Sequence, residues 1–228
     1  MSCHPWSAAE TGLDNPAEAP PALPDAIRSD AHYADLIFEK VELARTRLTA
    51  CHFSHCSFRR CSFMESALDN CRFLDCTFDG CDLSLAELNG STFSHVQLNG
   101  TKAVGIDWTR ASWPAKWIGK PIGFLESAIS HSTFIGLSLR EIQIRDCIAA
   151  DVDFREADLS LADFSGTDLT DSLFFLTDLR QADLSRARNY RIDPGQNKLS
   201  RAKFSLPEAI SLLYNMDIEM IEDRDRPD

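Results

Sequence analysis

The sequence predicts an all-β solenoid, a chain that coils around its own apolar interior, with a short helix near its C-terminal end. Three observations lead there. Large apolar residues recur every five positions over most of the chain. Thirteen of the 14 phenylalanines fall on one place of that five-residue unit. A period of five also fits no ordinary element. On a helix five residues advance about 500°, so the large side chains would wander over every face. On a flat strand an odd period sends them alternately to opposite faces. To bury them all on one side the backbone must turn once per unit, so that each coil covers the interior of the next.

Residues 1–30 hold five of the ten prolines and a net charge of −4, which reads as a flexible acidic leader. The start, MSCHPWSAAETGLDNPAEAPP, has neither a basic opening nor an apolar stretch and is not read as a secretion signal. The repeating region spans residues 31–204. Its fives run CHFSH, CSFRR, CSFME, SALDN, CRFLD, CTFDG, CDLSL, AELNG, STFSH. The third place is Phe or Leu, the first is Cys, Ser or Ala, and the other three are polar. One register holds from Tyr33 to Trp113, 17 fives, and a second from Phe124 to Leu184, 13 more.

Between the registers lies a break at 114–123, PAKWIGKPIG. The step from Trp113 to Phe124 is longer by one place than two fives would be. The break reads either as a bulge in one coil or as an exposed loop whose Lys116, Trp117 and Lys120 touch a partner. After Leu184, NYRIDPGQNKL reads as one distorted coil, because Phe204 returns in register four fives later. Residues 205–228 change period. Ser205-Leu206-Pro207-Glu208 has the form of a capping box, with a helix to about Tyr214 that sets Ile210 and Leu213 on one face. Met216, Ile218 and Met220, with Ile221 beside them, then alternate as a short strand.

Eight cysteines suggest a disulfide scaffold, but six of them are spaced by multiples of five, so they belong to the repeat. With no secretion signal the reading is reduced, buried thiols and a cytoplasmic protein. The balance of 23 Lys+Arg against 35 Asp+Glu, net −12, argues against direct nucleic-acid binding and against an anionic membrane surface. No apolar run is long enough to span a bilayer. No glycine-rich phosphate loop, histidine-rich metal motif or partnered nucleophile is visible. No cofactor is expected, and an enzyme or metal protein is the minor reading.

ADLSLADFSGTDL and CDLSLAEL resemble the A(D/N)LXX motif of the pentapeptide-repeat family, a resemblance that covers about residues 31–187. It implies a right-handed quadrilateral β-helix with four fives per coil, the third and first places pointing in and the others out. Thirty fives then make about seven and a half coils, a rod ~36 Å long. Residues four fives apart stack. Asp35, His55, Asp75 and His95 would form one outer column, either a solvated ladder or a metal site. Cys51 over Cys71, Cys56 over Cys76 and Cys61 over Cys81 would form inner columns, read as packing.

From Asp151 to Ala187 there are nine acids and three arginines. Asp153, Asp158, Asp163, Asp168, Asp178 and Asp183 occupy second places, with Asp158 under Asp178 and Asp163 under Asp183. Like charges ~5 Å apart repel by roughly 0.8 kcal/mol even in water. These aspartates read either as acceptors for the turn amides or as an anionic face for a basic protein surface.

SLLYNMDIEMI is similar to the terminal helix and strand of the quinolone-resistance (Qnr) group, which there pair two chains end to end. That resemblance implies a homodimer through Leu212, Leu213, Met216, Ile218, Met220 and Ile221; a cap on a monomer is the alternative. It further implies a DNA mimic that binds type II topoisomerase, DNA gyrase or topoisomerase IV, and alters quinolone susceptibility. Against it, the Qnr group carries long loops, for which one extra residue is too little. The competing expectation is a structural rod with an unassigned protein partner.

Overall fold

The computed structural model describes residues 27–113, 122–216 and 218, and within them the backbone winds as a parallel β-solenoid with four ladders per coil. Side 1 stacks His32–Ala34, His52–Ser54, Arg72–Leu74 and Thr92–Ser94, in register at steps of four fives. Side 2 is a six-stranded sheet of Ile37–Glu39, Ser57–Arg59, Thr77–Asp79, Val96–Asn99, Ile122–Leu125 and Gln143–Arg145. Sides 3 and 4 are held largely by single bridges, from Glu42 down to Arg188 and from Ala67 down to Leu173. The cross-section is the one that the pentapeptide-repeat resemblance implies.

Each place in the five has a physical task. Third-place side chains fill the interior: Phe58, Phe78, Phe124, Phe134, Phe154 and Phe164 are all fully buried. On side 1 the rings of Tyr33, Phe53, Phe73 and Phe93 stack coil on coil, with centroids 5.1, 5.0 and 5.2 Å apart. First-place side chains line the inner corners; many are small, although Ile106, Ile122 and Ile142 are buried there too, and corner amides need acceptors. Ser91 Oγ accepts from Cys71 N at 2.8 Å and donates to the Leu68 carbonyl. Thr167 does the same for Cys147 N and the Ile144 carbonyl. Fifth-place residues turn the corner in the left-handed region, for example Asp35 at φ 56°, His55 at 53° and Asn70 at 53°. That conformation is costly for most side chains, and a ladder bond from most corner amides to the next coil, such as Asp35 N to Ser54 O at 3.0 Å, holds it.

Two expectations need correction. The break is larger than the sequence registers suggest. Leu98 pairs with Phe124, and Lys102 bridges to Ala128, where Asp82 bridges to Lys102 one coil before. This coil is therefore longer than its neighbours by six positions. Six is one repeat plus one, so the registers differ by one while a whole place is skipped. Trp113 closes side 1 against Phe93, centroids 6.4 Å apart. Ile122 and Gly123, assigned to the break, already belong to side 2. Lys116, Trp117 and Lys120 lie outside the described residues.

The second correction concerns the end. A 3-10 turn, Glu208–Ile210, leads into a short helix, Ser211–Tyr214, but no capping box forms. Ser205 Oγ accepts from Arg186 N at 3.1 Å, and Glu208 Oε1 accepts from Asn189 N at 2.6 Å. Those amides belong to the last full coil and have no further coil to pair with, so they take the side chains that would have capped the helix. Leu212 packs on the core, while Ile210 and Leu213 are exposed.

Candidate functional site

The six second-place aspartates do not share one face. Asp158 and Asp178 stack on side 1 and Asp163 and Asp183 on side 2, whereas Asp168 lies on side 3 and Asp153 on side 4. Each of the four on sides 1 and 2 accepts the backbone N–H two residues on: Asp158 from Ser160 at 3.0 Å, Asp163 from Ser165 at 3.0 Å, Asp178 from Arg180 at 3.2 Å and Asp183 from Ser185 at 2.9 Å. These are Asx turns that shape the side-to-corner bend. Basic residues close several columns. Lys198 stands 3.6 Å from Asp178, Lys203 3.1 Å from Asp183 and Arg188 3.6 Å from Asp168. The Arg180 guanidinium beside Asp178 and the Arg155 guanidinium beside Asp153 hold both carboxyls below the usual aspartate value.

The corner between sides 1 and 2 carries the six-residue insertion, between Trp113 and Ile122. The same two sides carry Asp158, Asp178, Asp163 and Asp183 in the coils that follow. The fold thus brings four of the sequence-selected aspartates to the two sides that flank the insertion, and leaves Asp153 and Asp168 elsewhere.

The histidine–aspartate column is present. Asp75 stands 3.6 Å from His55 Nε2 and 3.4 Å from His95 Nδ1, all three well exposed. Among the described residues no three His, Cys, Asp or Glu side chains are grouped as metal ligands. The cysteine columns are buried and unbridged. Their thiols occupy the site that Ser91 and Thr167 occupy elsewhere and donate weakly to the same kind of carbonyl, as Cys71 Sγ does to Leu48 O at 3.5 Å. Burial pushes the Cys71 and Cys147 thiols up to about 12.

At the C-terminal end Leu213, Tyr214, Met216 and Ile218 are exposed, as is Leu206; Met220 and Ile221 lie outside the described residues. One exposed cluster was missed in the sequence. Leu173, Phe175 and Leu176 are 45%, 43% and 58% exposed on and beside side 4. The signal was available: Phe175 is the one phenylalanine off the third place, in a five, SLFFL, whose outer places are apolar where other fives are polar.

Among the described residues no helix is long and apolar enough to cross a membrane. Two sequence profiles match the chain: "Pentapeptide repeat region" at residues 31–108 and 51–127, and "Pentapeptide repeats (8 copies)" at 138–174. No curated protein sequence matches. Among solved structures, two trypsin-treated variants of QnrB1, described as a plasmid-mediated fluoroquinolone resistance protein, are similar. One is 20% identical with a TM-score of 0.56, covering 84% of this chain and 100% of its own. The other is 16% identical with a TM-score of 0.61, covering 85% and 99%. At these identities the likeness is one of fold.

Proposed function

Because this chain belongs to the pentapeptide-repeat family, we propose that it is a non-enzymatic interaction protein whose partner is a type II topoisomerase, DNA gyrase or topoisomerase IV. The partner would meet the corner between sides 1 and 2 with a surface that otherwise holds DNA. One observation carries this reading: the six-residue insertion between Trp113 and Ile122 and the columns Asp158–Asp178 and Asp163–Asp183 share that corner. Carboxylates at coil spacing on a stiff rod offer a protein that grips phosphates a regular anionic edge, and Lys116, Trp117 and Lys120 would add a specific contact. The six inserted residues also weaken the objection that the break is too short for a loop. The name given to QnrB1 makes quinolone protection the activity to assay first.

The test is binding of the full chain to purified gyrase and topoisomerase IV at low salt, with supercoiling assays in the presence and absence of a quinolone. Changing Asp158, Asp163, Asp178 and Asp183 together to Asn should weaken binding, most at low salt. A wild-type chain that binds neither enzyme at micromolar concentration overturns the reading.

The competing reading, a structural rod with another protein partner, is favoured by the Asx turns and the Lys198 and Lys203 contacts, which give the aspartates work inside the fold. The exposed end residues Leu206, Leu213, Tyr214 and Met216 support end-to-end pairing of two copies. Sedimentation of the full chain beside a chain ending at Phe204 tests it: if both run as monomers at micromolar concentration, the dimer is wrong.

A further inference from the structure

Side 4 stops one coil before its neighbours. Side 3 continues from Asp168 to Arg188, side 1 from Asp178 to Lys198 and side 2 from Asp183 to Lys203, but the side 4 bridges end at Leu173. Two backbone bonds lock that strand to the coil before it, Leu173 N to Val152 O at 2.8 Å and Phe154 N to Leu173 O at 3.0 Å. Their counterparts one coil later would be Asp193 N to Ser172 O and Phe174 N to Asp193 O, and among the described residues neither forms. Asp193–Asn197 instead makes a tight turn, in which Asp193 Oδ1 accepts from Gly195 N at 2.7 Å and the Asp193 carbonyl accepts from Gln196 N at 3.2 Å and from Asn197 Nδ2 at 3.0 Å. It rejoins the side only beyond Leu173, where the Gln196 carbonyl accepts from Leu176 N at 3.0 Å and Asn197 Nδ2 donates to the Phe174 carbonyl at 3.3 Å. Pro194 stands where a third-place apolar residue would sit.

The result is a cleft of about 510 Å³ lined by Arg155, Asp171, Ser172, Leu173, Phe174, Phe175 and Arg191. Among the described residues the Ser172 carbonyl and the Phe174 amide take no backbone partner there, which is the edge of a sheet awaiting a strand. Phe174 faces inward with no ring among the described residues stacked on it from the next coil, and Leu173 and Phe175 stand outward on either side. The Arg191 side chain, 80% exposed and 3.6 Å from Asp171, lies at the rim.

The chain itself supplies a fitting segment. The last helix is tied beside the cleft, because Asn215 Nδ2 donates to the Ile192 carbonyl at 3.2 Å, next to Arg191. From Asn215 the next five residues, which end at Met220, can reach ~17 Å when extended. Met220 and Ile221 are adjacent apolar residues, so in a strand one would point inward over Phe174 while the other lay outward beside Leu173 and Phe175. Glu219 and Glu222 flank them and would meet the arginine at the rim.

We propose that residues 219–222 add as a strand to the open edge of side 4 in the same molecule and complete the last coil. This goes beyond the topoisomerase reading and is independent of it; it assigns Met220 and Ile221 to the cleft and leaves Leu213, Tyr214 and Met216 for any end-to-end contact.

Hydrogen exchange of the full chain at two well-separated protein concentrations tests it. The wild type should exchange the Phe174 amide on the order of tenfold more slowly than M220D/I221D, equally at both concentrations. In L173D/F175D, both exposed positions, the amides of residues 219–222 should in turn exchange faster than in the wild type. Unchanged exchange in both variants overturns the proposal. Protection that deepens with concentration also overturns it, since the strand would then come from a second copy.

Discussion

The coils before the insertion and those after it share one cross-section but are stabilised by different chemistry. From Tyr33 to Trp113 the interior is dominated by stacked rings, six inner corners carry thiols, and sides 1 and 2 are mostly three-residue strands. From Phe124 to Leu184 the third places alternate rings with Leu, Ile and Ala. The inner corners there carry mostly Ser, Thr and Ala, most sides are held by single bridges, and six second places carry an aspartate. The difference teaches that the coil is specified by its two inner places and its left-handed corner. The outer places are free to be a ladder or a turn. Aromatic stacking adds about 0.5–1.5 kcal/mol per pair beyond burial, whereas the Asx turns stiffen the backbone locally. One half leans on packing, the other on hydrogen bonds.

The largest expected effect tests the packing half. Phe73→Ala removes a ring stacked on Phe53 and Phe93, and Phe164→Ala one with edge contacts to Phe154 and Phe174. Each should cost ~3–5 kcal/mol in denaturant unfolding, with Phe73 the costlier. If Phe164→Ala proves the more damaging, the contrast between the halves fails.

Next come the corners. Thr167→Val keeps the shape but strips Cys147 N of its acceptor, a loss of ~1–3 kcal/mol for an unsatisfied buried amide. Cys76→Ser should cost less, because a hydroxyl there can reach the Phe53 carbonyl that the thiol already meets at 3.6 Å. Comparable losses for the two would mean that the thiols are more than substitutes for hydroxyls.

The repeat made the fold legible because third-place residues announce themselves by size: the phenylalanines alone set both registers, from Phe38 to Phe93 and from Phe124 to Phe204. The insertion was half legible. Its position showed, but six residues look like one when a missing repeat place is absorbed, and only the pairing of Leu98 with Phe124 distinguishes them. The Ser205–Glu208 pattern misled because a capping box and a pair of acceptors for stranded coil amides have the same composition. For the candidate surface, stacking at steps of four fives correctly joined Asp158 to Asp178 and Asp163 to Asp183. A continuous run of second-place aspartates, however, winds around all four sides, so its net charge in sequence is not the charge of one face. The cleft on side 4 depends on a ladder ending at Leu173, which no local pattern shows.

A third prediction uses pH and bears on both halves. The folded-state thiols of Cys71 and Cys147 lie at about 12, raised by burial from 9.0. A raised acid is neutral in the fold while its unfolded counterpart ionises. The stability it contributes is therefore complete below the unfolded value and is lost as pH rises towards the folded one. Denaturant midpoints should fall over that window. Cys147→Ala should flatten the fall, and a slope unchanged by that substitution would remove burial of the thiol as the cause.

The smallest expected effect concerns the outer carboxylates. Asp178 is held down first by its hydrogen bonds with Arg180, and further by Lys198. Its depressed carboxyl contributes stability that is present above the unfolded value of 3.8 and is lost as pH falls through the folded one. Asp178→Asn keeps an oxygen for the Arg180 amide but removes the charge. Because Arg180 is about half exposed, the change at neutral pH should stay within ~1 kcal/mol. At acid pH, however, the variant should lose stability less steeply than the wild type. The first half offers the control. Glu65 is held below its usual value by a side-chain hydrogen bond from Arg45, at 2.9 Å, and both groups stand in solvent. Nothing there ties the carboxylate to a turn amide in the way Asp178 is tied. Glu65→Gln should therefore flatten the acid limb only slightly, and added salt should erase that difference by screening the pair. The Asp178→Asn difference should survive salt in part, because its carboxylate is largely shielded from solvent by the turn it closes. If salt erases both differences equally, the outer places of the two halves are electrostatically alike, and the contrast between them is confined to the core.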